Sequence, residues 1–238
     1  MARLGIIGSG LIGAGIARLA VAAGHQVLVA NSRGPASLSD LVDELGPLAS
    51  AGDAAQAAEF GDVVVLAIPL SAYADLPTDA FRGATVLSTG NYYPSRDGRI
   101  DELDSLAITT AEYEKQLLPD TLIVKAFNNI LAHHIPNLAR AADAPDRTAL
   151  PIAGDDAGAK AAVSAVVQTL GFDPVDAGSL AESWSYEPES GAYTPIYAAD
   201  LEQLAKDYLA DPGAPLSSER LREYLAASHR PDVASRTF

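Results

Sequence analysis

The sequence predicts an α/β fold, in which a doubly wound parallel sheet is followed by a small α+β C-terminal extension. Over the first 150 residues, short apolar runs alternate with helix-like patterns, as in consecutive strand–helix–strand units. One run, 62–68, is apolar almost throughout, which is typical of a strand covered on both faces. The pattern changes near residue 148, so we expect a first domain over 1–148 and a smaller one over 149–238.

The bounds of the individual elements follow from hydrophobic periodicity and from turn residues. In the first domain, strands are predicted over 4–7, 26–30, 62–68, 85–88 and 122–124, and helices over 11–23 and 37–45. In the second, strands are predicted over 149–153 and 172–175, and helices over 156–170, 200–209 and 218–227. The stretch 182–195 is rich in Trp, Tyr, Pro and Glu without a period, and 230–238 is expected to be a loose tail.

The composition and charge exclude several classes of function. The 238 residues include no cysteine, which rules out disulfides and thiolate metal sites, and the four histidines lack a metal-binding spacing. We therefore expect no metal site. The net charge of −15 argues against binding to nucleic acid, whose phosphates need a basic surface.

The N-terminal sequence bears on the compartment. The chain passes almost directly into an apolar strand, without the basic and apolar segments of a signal peptide. No apolar stretch approaches the roughly 20 residues that are needed to cross a bilayer. We therefore expect a cytoplasmic protein without a membrane partner.

The most informative motif is the turn Gly8-Ser9-Gly10-Leu11-Ile12-Gly13, which follows a predicted strand and opens a predicted helix. In a Rossmann-type fold, the first glycine of this fingerprint permits a tight turn, the second lets the backbone approach a pyrophosphate, and the third allows close packing of helix on strand. The helix N-terminus then faces the phosphate charge. The motif predicts a dinucleotide site, and a glycine-rich turn without a ligand is the simpler alternative.

The end of the second predicted strand selects between the two nicotinamide cofactors. NAD sites commonly carry Asp or Glu there to bind the ribose 2′-hydroxyl, whereas this chain has Asn31-Ser32-Arg33. Arg33 suits a 2′-phosphate through charge-assisted hydrogen bonds, and Ser32 supplies a hydroxyl donor. These residues favour NADP(H), the alternative being that Arg33 is simply an exposed turn residue.

Two further segments follow strands at the edge where doubly wound sheets bind their ligands. In Ala67-Ile68-Pro69-Leu70 a proline breaks the strand and leaves an apolar wall, while 89–94 carries Asn91 and two adjacent tyrosines. Each segment is a candidate wall for the nicotinamide end of the cofactor, and a plain turn is an equally good interpretation of each.

Together with Lys125-Ala126-Phe127-Asn128, these segments resemble the NADPH-dependent reductases of the deazaflavin coenzyme, and equally the cytosolic domain of six-transmembrane metalloreductases. The resemblance covers residues 3–184, and the Lys125–Asn128 motif is its most specific part. It implies hydride transfer between NADP(H) and a small-molecule acceptor, the 8-hydroxy-5-deazaflavin coenzyme or another flavin. It also implies a homodimer.

The resemblance assigns roles to individual residues. The turn 8–13, Ser32 and Arg33 would bind NADPH; Ala67, Ile68 and Pro69 would line its nicotinamide half; and Ala126, Phe127 and Asn128 would lie near the nicotinamide. This chain departs from the family at Asn129, where Thr is frequent, and beyond Trp184, where 182–195 and two helices replace the usual C-terminal helix of the acceptor pocket.

The chemistry of the acceptor stays open at this point. Ring-to-ring hydride transfer needs positioning more than acid–base groups, whereas reduction of a small carbonyl or imine needs a proton donor near the nicotinamide. His133 and His134 are the best candidate donors, and Lys125 is another, although structural roles suit all three. A non-catalytic NADPH sensor or scaffold is a further alternative. Four aromatic residues of the irregular C-terminal region would either wall the acceptor site or fill a core: Trp184, Tyr186, Tyr193 and Tyr197.

Overall fold

The computed structural model describes residues 1–235 and contains one eight-stranded sheet. Its strands are β1 (Arg3–Ile7), β2 (Gln26–Ala30), β3 (Ala49–Gly52), β4 (Val63–Leu66), β5 (Thr85–Ser88), β6 (Leu122–Lys125), β7 (Thr148–Gly154) and β8 (Phe172–Asp176). Their order is β3-β2-β1-β4-β5-β6-β7-β8.

Helices connect the strands. They are α1 (Leu11–Ala22), α2 (Ser39–Leu45), α3 (Ala54–Phe60), α4 (Pro94–Asp97), α5 (Asp101–Asp104), α6 (Thr110–Leu117), α7 (His134–Leu138), α8 (Ala157–Thr169), α9 (Leu201–Lys206) and α10 (Ser218–Ala227). Short 3-10 helices cover Pro35–Leu38, Leu70–Asp75, Thr78–Phe81, Leu180–Tyr186 and Thr194–Tyr197. No helix within residues 1–235 has both the length and the apolar character to cross a membrane.

The predicted fold class is confirmed. β1 to β6 pair in parallel and follow the doubly wound order of a Rossmann-type sheet. β7 then pairs antiparallel to β6, and β8 pairs parallel to β7. The boundary expected near residue 148 therefore falls inside one continuous sheet, which the C-terminal extension lengthens. Whether 1–148 and 149–238 are separate folding units stays a prediction.

Each face of the sheet has its own hydrophobic core, because successive side chains of a strand point to opposite faces. In β1, Leu4 and Ile6 join one cluster of buried residues and Ile7 joins the other. All four residues of β4 are buried. The two covered faces explain the almost unbroken apolar run that predicted this strand.

Several parts differ from expectation. Neither β3 nor α3 was predicted, because the alanine- and glycine-rich stretch that forms them carries little hydrophobic period. The helix expected over 200–209 is shorter, and no residue of α9 is buried. The prediction of a loose tail is wrong for residues 230–235, since Val233 is buried and Arg230 donates to the Ile108 carbonyl oxygen. Residues 236–238 lie outside the described residues.

Gly5 packs α3 directly on β1, and this contact carries a prediction. A Cβ at Gly5 would lie 1.9 Å from the carbonyl oxygen of Ala57. We expect Gly5→Ala to lower the free energy of unfolding by about 1–3 kcal/mol in urea denaturation, because backbone must move. Gly10→Ala is the control, since no atom lies within 4 Å of a Cβ there. An unchanged midpoint for Gly5→Ala would contradict this packing.

Candidate NADP-binding and acceptor site

The strand order reverses between β1 and β4, and a crevice opens beyond their carboxyl ends. A cavity of about 620 Å³ lies there, which we call the first cavity. It brings together three segments that the sequence predicted to bind the cofactor. The residues of these segments that line the first cavity are Gly8, Ser9, Gly10, Asn31, Ser32, Arg33, Ala67, Ile68 and Pro69.

The geometry of the glycine turn fits a bound pyrophosphate. Gly8 has a φ of 111°, and a Cβ there would lie 2.2 Å from the Ala67 carbonyl oxygen. A Cβ on Gly13 would lie 1.9 Å from the Gly8 carbonyl oxygen, so α1 packs tightly on the turn. Gly10 faces open space, and no side chain caps the N-terminus of α1. The first N–H groups of α1 are therefore left for an anion.

Asn31 organises the loop after β2. Its Nδ2 donates to Ser9 Oγ at 3.0 Å and to Ser37 Oγ at 3.0 Å, and its Oδ1 accepts from the Arg33 amide at 2.9 Å. Asn31 therefore ties this loop to the glycine turn. Arg33 is exposed at the cavity and forms no ion pair with the residues that the structure describes. Ser37 is a part of this arrangement that the sequence did not single out.

A second cavity, of about 360 Å³, adjoins the first and shares Ala67, Ile68 and Pro69 with it. The rest of its lining combines the loop after β5, the segment after β6 and the C-terminal extension: Ile12, Thr89, Gly90, Asn91, Tyr93, Arg96, Phe127, Asn128, Ile130, Leu131, Ala132, Tyr193, Thr194 and Tyr208.

Three residues that were predicted to bind the cofactor line neither of these cavities. Gly13 is buried where α1 packs on the glycine turn. Leu11 is 77% exposed at the start of α1. Ala126 is fully buried, and its amide donates to the Ser88 carbonyl oxygen at 2.9 Å. Ala126 therefore continues the pairing of β6 with β5, and its side chain packs in the core.

Asn91 and Asn128 form two hydrogen bonds with each other, and both residues line the second cavity. Asn91 Nδ2 donates to the Asn128 carbonyl oxygen at 2.8 Å, and Asn128 Nδ2 donates to Asn91 Oδ1 at 3.1 Å and to the Tyr186 carbonyl oxygen at 2.9 Å. Asn128 is 4% exposed, and its Oδ1 has no hydrogen-bond partner among the described residues. A buried acceptor without a partner is costly, so this oxygen fits an N–H group of a ligand.

The segment around this pair is strained and clamped. Phe127 has a φ of 59°, in the left-handed region that side chains rarely adopt, and its ring meets Phe172 edge-on. The buried Lys125 Nζ donates to the Gly90 carbonyl oxygen and to Glu187 Oε1, both at 2.9 Å. Glu187 thus anchors the C-terminal extension beneath the loop after β5. Lys125 lines neither cavity.

Glu114 is a second buried charge-bearing group beneath this loop, and no sequence motif marked it. A Cβ on Gly90 would lie 1.8 Å from its Oε1. Burial raises the pKa of the Glu114 carboxyl, and nearby Lys125 opposes that shift only in part. A side chain at position 90 would therefore displace the Glu114 carboxyl.

The two histidines do not reach either cavity. His133 Nε2 and His134 Nε2 both lie 3.0 Å from the carbonyl oxygen of Asp211, and His134 Nε2 also lies 3.1 Å from its Oδ1. They tie the segment after β6 to the C-terminal extension. This placement suits the structural role that the sequence left open for them, and it argues against a role as proton donors beside the nicotinamide. Within residues 1–235, no cluster of three His, Cys, Asp or Glu side chains is arranged to hold a metal ion.

The aromatic residues of the C-terminal extension divide between core and cavity. Tyr186 and Tyr197 are fully buried, and their hydroxyls donate to the carbonyl oxygens of Lys125 and Ala149. Trp184 is half-buried and lines neither cavity, whereas Tyr193 lines the second. This group therefore leaves the second cavity open. Of the four aromatic residues that the sequence offered as a wall of the acceptor site, Tyr193 is the one that lines the second cavity.

Comparisons with known proteins agree with this geometry. Residues 3–92 match the family model described as NADP oxidoreductase coenzyme F420-dependent. The hypothetical protein SMa0349 from Sinorhizobium meliloti is 33% identical, with a TM-score of 0.67 over 79% of this chain and 91% of that one. Residues 3–92 are thus similar to the coenzyme F420-dependent NADP oxidoreductase family, and every residue that lines the first cavity lies within this matched segment.

Other relatives extend the comparison. The metalloreductase STEAP3 of Rattus norvegicus is 30% identical over 187 residues, which are 78% of this chain and 36% of that protein. The chain thus spans little more than a third of this curated relative. A proposed F420-dependent NADP reductase from Arthrobacter sp. FB24 is 21% identical, with a TM-score of 0.62 over 76% of this chain and 86% of that one, and shares the fold.

Arg33 provides a test of cofactor choice. We expect Arg33→Ala to weaken NADPH binding about 10–100-fold, because a charge-assisted contact with the 2′-phosphate is worth roughly 1.5–3 kcal/mol. NADH binding should change little. Fluorescence titration measures both dissociation constants, and Arg82→Ala, an exposed arginine paired with Asp79, is the control. Equal weakening for the two nucleotides would contradict the assignment.

The buried histidines predict how stability depends on pH. Burial lowers the pKa of His134 and of His25, so both are neutral in the folded chain. In the unfolded chain they take up protons below about pH 6.5, so their contribution is complete above that pH and is lost as pH falls towards the lowered values.

Urea unfolding between pH 7.5 and 5.5 measures this dependence. Each histidine adds a slope of at most about 1.4 kcal/mol per pH unit. His134→Gln keeps a donor to Asp211 and should reduce the slope, whereas His229→Gln, an exposed residue, should not. A slope that His134→Gln leaves unchanged would show that His134 protonates equally in both states.

Proposed function

We propose that this chain binds NADP(H) in the first cavity and transfers hydride between the nicotinamide and a flavin-like acceptor in the second. The acceptor class includes the 8-hydroxy-5-deazaflavin coenzyme and other flavins. The observation that carries the proposal is the wall that the two cavities share, Ala67, Ile68 and Pro69. A dinucleotide whose pyrophosphate lies on the α1 N-terminus has its nicotinamide half directed to this wall.

The residues of the first cavity divide the binding of NADP(H) between them. The α1 N-terminus and Gly10 would hold the pyrophosphate, and Ser32 and Arg33 would hold the 2′-phosphate. Asn128 Oδ1 fits the carboxamide N–H of the nicotinamide, which would give this buried oxygen its missing partner. The cofactor itself supplies the hydride.

The second cavity supports turnover over a purely sensory role. It stays open beside the shared wall, with Phe127 and Asn128 on one side and Tyr93 and Tyr193 on another. Transfer between two rings needs their close and fixed approach, which a walled cavity provides. A sensor that only binds NADPH would have no use for this space. The homodimer and the cytoplasmic location expected from the sequence stay predictions.

Oxidation of NADPH, followed by its absorbance, tests the proposal. The panel contains the deazaflavin coenzyme, FMN and FAD, ferric chelates, small ketones and cyclic imines. We expect the fastest oxidation with a flavin-like acceptor. Fluorescence titration of NADPH on the same sample separates binding from turnover. Binding without oxidation by any member of the panel would contradict the proposed function.

A further inference from the structure

A hydrogen-bonded pair of phenols faces the second cavity. The hydroxyl oxygens of Tyr93 and Tyr193 lie 2.6 Å apart, and both residues line the cavity. Asn91 Nδ2 lies 3.3 Å from the Tyr193 oxygen and donates to it. Asn91 is itself held by Asn128, the residue placed at the nicotinamide. The phenol pair therefore connects to the cofactor side of the cavity through fixed side chains.

We propose that Tyr193 is the proton donor of the acceptor site. The proposal rests on the proposed hydride transfer and specifies its substrate class. The reacting group of the acceptor is an uncharged C=O or C=N bond, isolated or within a conjugated ring, so that its reduction needs a hydride and a proton. Tyr193 supplies the proton, and the Tyr93 hydroxyl lies 2.6 Å from it.

The hydride leaves C4 of the nicotinamide with its electron pair. It forms a C–H bond in an imine, carbonyl or deazaflavin, or an N–H bond at N5 of a flavin, while the π electrons move to the oxygen or nitrogen at the other end of the bond or conjugated system. The O–H bond of Tyr193 breaks, and its proton goes to that atom. Water reprotonates the phenolate through the Tyr93 hydroxyl. The net reaction consumes NADPH and one proton and gives NADP⁺ and the reduced acceptor.

The surroundings stabilise the phenolate that this step requires. A phenol is a weak acid, so donors to its oxygen favour proton release. Asn91 Nδ2 is one such donor, and the Tyr93 hydroxyl is the other when its proton points to Tyr193. The Arg96 guanidinium lies 4.9 Å from the centre of the Tyr93 ring and donates to the Asn91 carbonyl oxygen at 2.6 Å.

The charge on Arg96 is partly balanced from outside the cavity. Its Nε donates to Asp97 Oδ1 at 2.9 Å, and Asp97 does not line the cavity. Among the described residues that line the cavity there is no carboxylate. The wall therefore presents one cation and several hydroxyls to the acceptor, in a chain whose net charge is −15.

Other candidate donors are engaged elsewhere. His133 and His134 contact Asp211 and lie outside the cavity. Lys125 Nζ is buried against Gly90 and Glu187. Thr89 donates its hydroxyl to the Leu66 carbonyl oxygen at 3.2 Å. These contacts leave the phenols of the cavity as candidate donors. Tyr208 is 56% exposed, whereas Tyr93 and Tyr193 are fixed by their hydrogen bond to each other and by Asn91.

Two acceptors that differ by one methyl group test the role of Tyr193. Reduction of neutral 3,4-dihydroisoquinoline at alkaline pH needs a proton, whereas reduction of its N-methyl iminium cation does not. We expect Tyr193→Phe to slow the neutral imine, and the best neutral acceptor of the panel, about 100-fold or more. The rate with the cation and the dissociation constant of NADPH should stay within about twofold of wild type.

The pH profile gives a second readout. In the wild type, kcat/KM with the neutral acceptor should fall at alkaline pH as Tyr193 ionises, and this limb should disappear in Tyr193→Phe. Tyr93→Phe should lower kcat/KM with the neutral acceptor about tenfold, because the Tyr193 phenolate loses one of its two hydrogen bonds. Tyr113→Phe removes a hydroxyl outside both cavities and is the matched control.

The outcomes separate the two proposals. If Tyr193→Phe slows both acceptors equally, or neither, or keeps the alkaline limb, then Tyr193 is not the proton donor, while the proposed function stands. If the wild type binds NADPH but reduces neither the panel nor this pair, both proposals are wrong. Selective loss with the neutral acceptor, together with loss of the alkaline limb, supports the proton-donor role.

Discussion

The contact on which the cofactor site depends is the close approach of α1 to the end of β1. At Gly13 a side chain would overlap the Gly8 carbonyl oxygen, and at Gly8 it would overlap the backbone of Ala67. The helix therefore begins directly over the switch in strand order, and its uncapped N–H groups face the crevice. The same contact fixes Ala67, which belongs to the wall that the two cavities share.

The acceptor side depends on a different set of interactions, which cross from the sheet to the C-terminal extension. Lys125 binds Glu187, Asn128 binds the Tyr186 carbonyl, and Asn129 binds the Ala192 carbonyl. Buried polar groups of this kind are costly unless they are paired, so the extension cannot shift without a large penalty. This anchoring holds Tyr193 beside Asn91, and it explains how a segment without regular periodicity forms part of a defined cavity.

Much of the fold followed from pattern alone. The strands with strong apolar runs and the helices with clear periodicity have bounds close to those expected, as at 85–88 and 218–227. β3 and α3 were missed because Ala and Gly give no amphipathic signal, although Asp53 and Gln56 form a capping box. His133 and His134 were candidate donors because they follow the Lys125–Asn128 motif in sequence, and proximity in sequence did not bring them to the second cavity. In the structure Phe127 has a left-handed backbone conformation, and the rings of His133 and His134 that follow it contact Asp211.

The sequence by itself determined the α/β class, the glycine turn and its partner loop at Asn31–Arg33, because these signals are local and depend on residue type at short spacing. It also carried the resemblance to a family, through motifs that lie in that same half of the chain and at the end of β6. Only the tertiary structure decided what surrounds the acceptor. Tyr93 and Tyr193 are 100 residues apart, and their contact arises from the way buried polar pairs fix the extension against the sheet. Such long-range pairing leaves no periodic trace in the sequence.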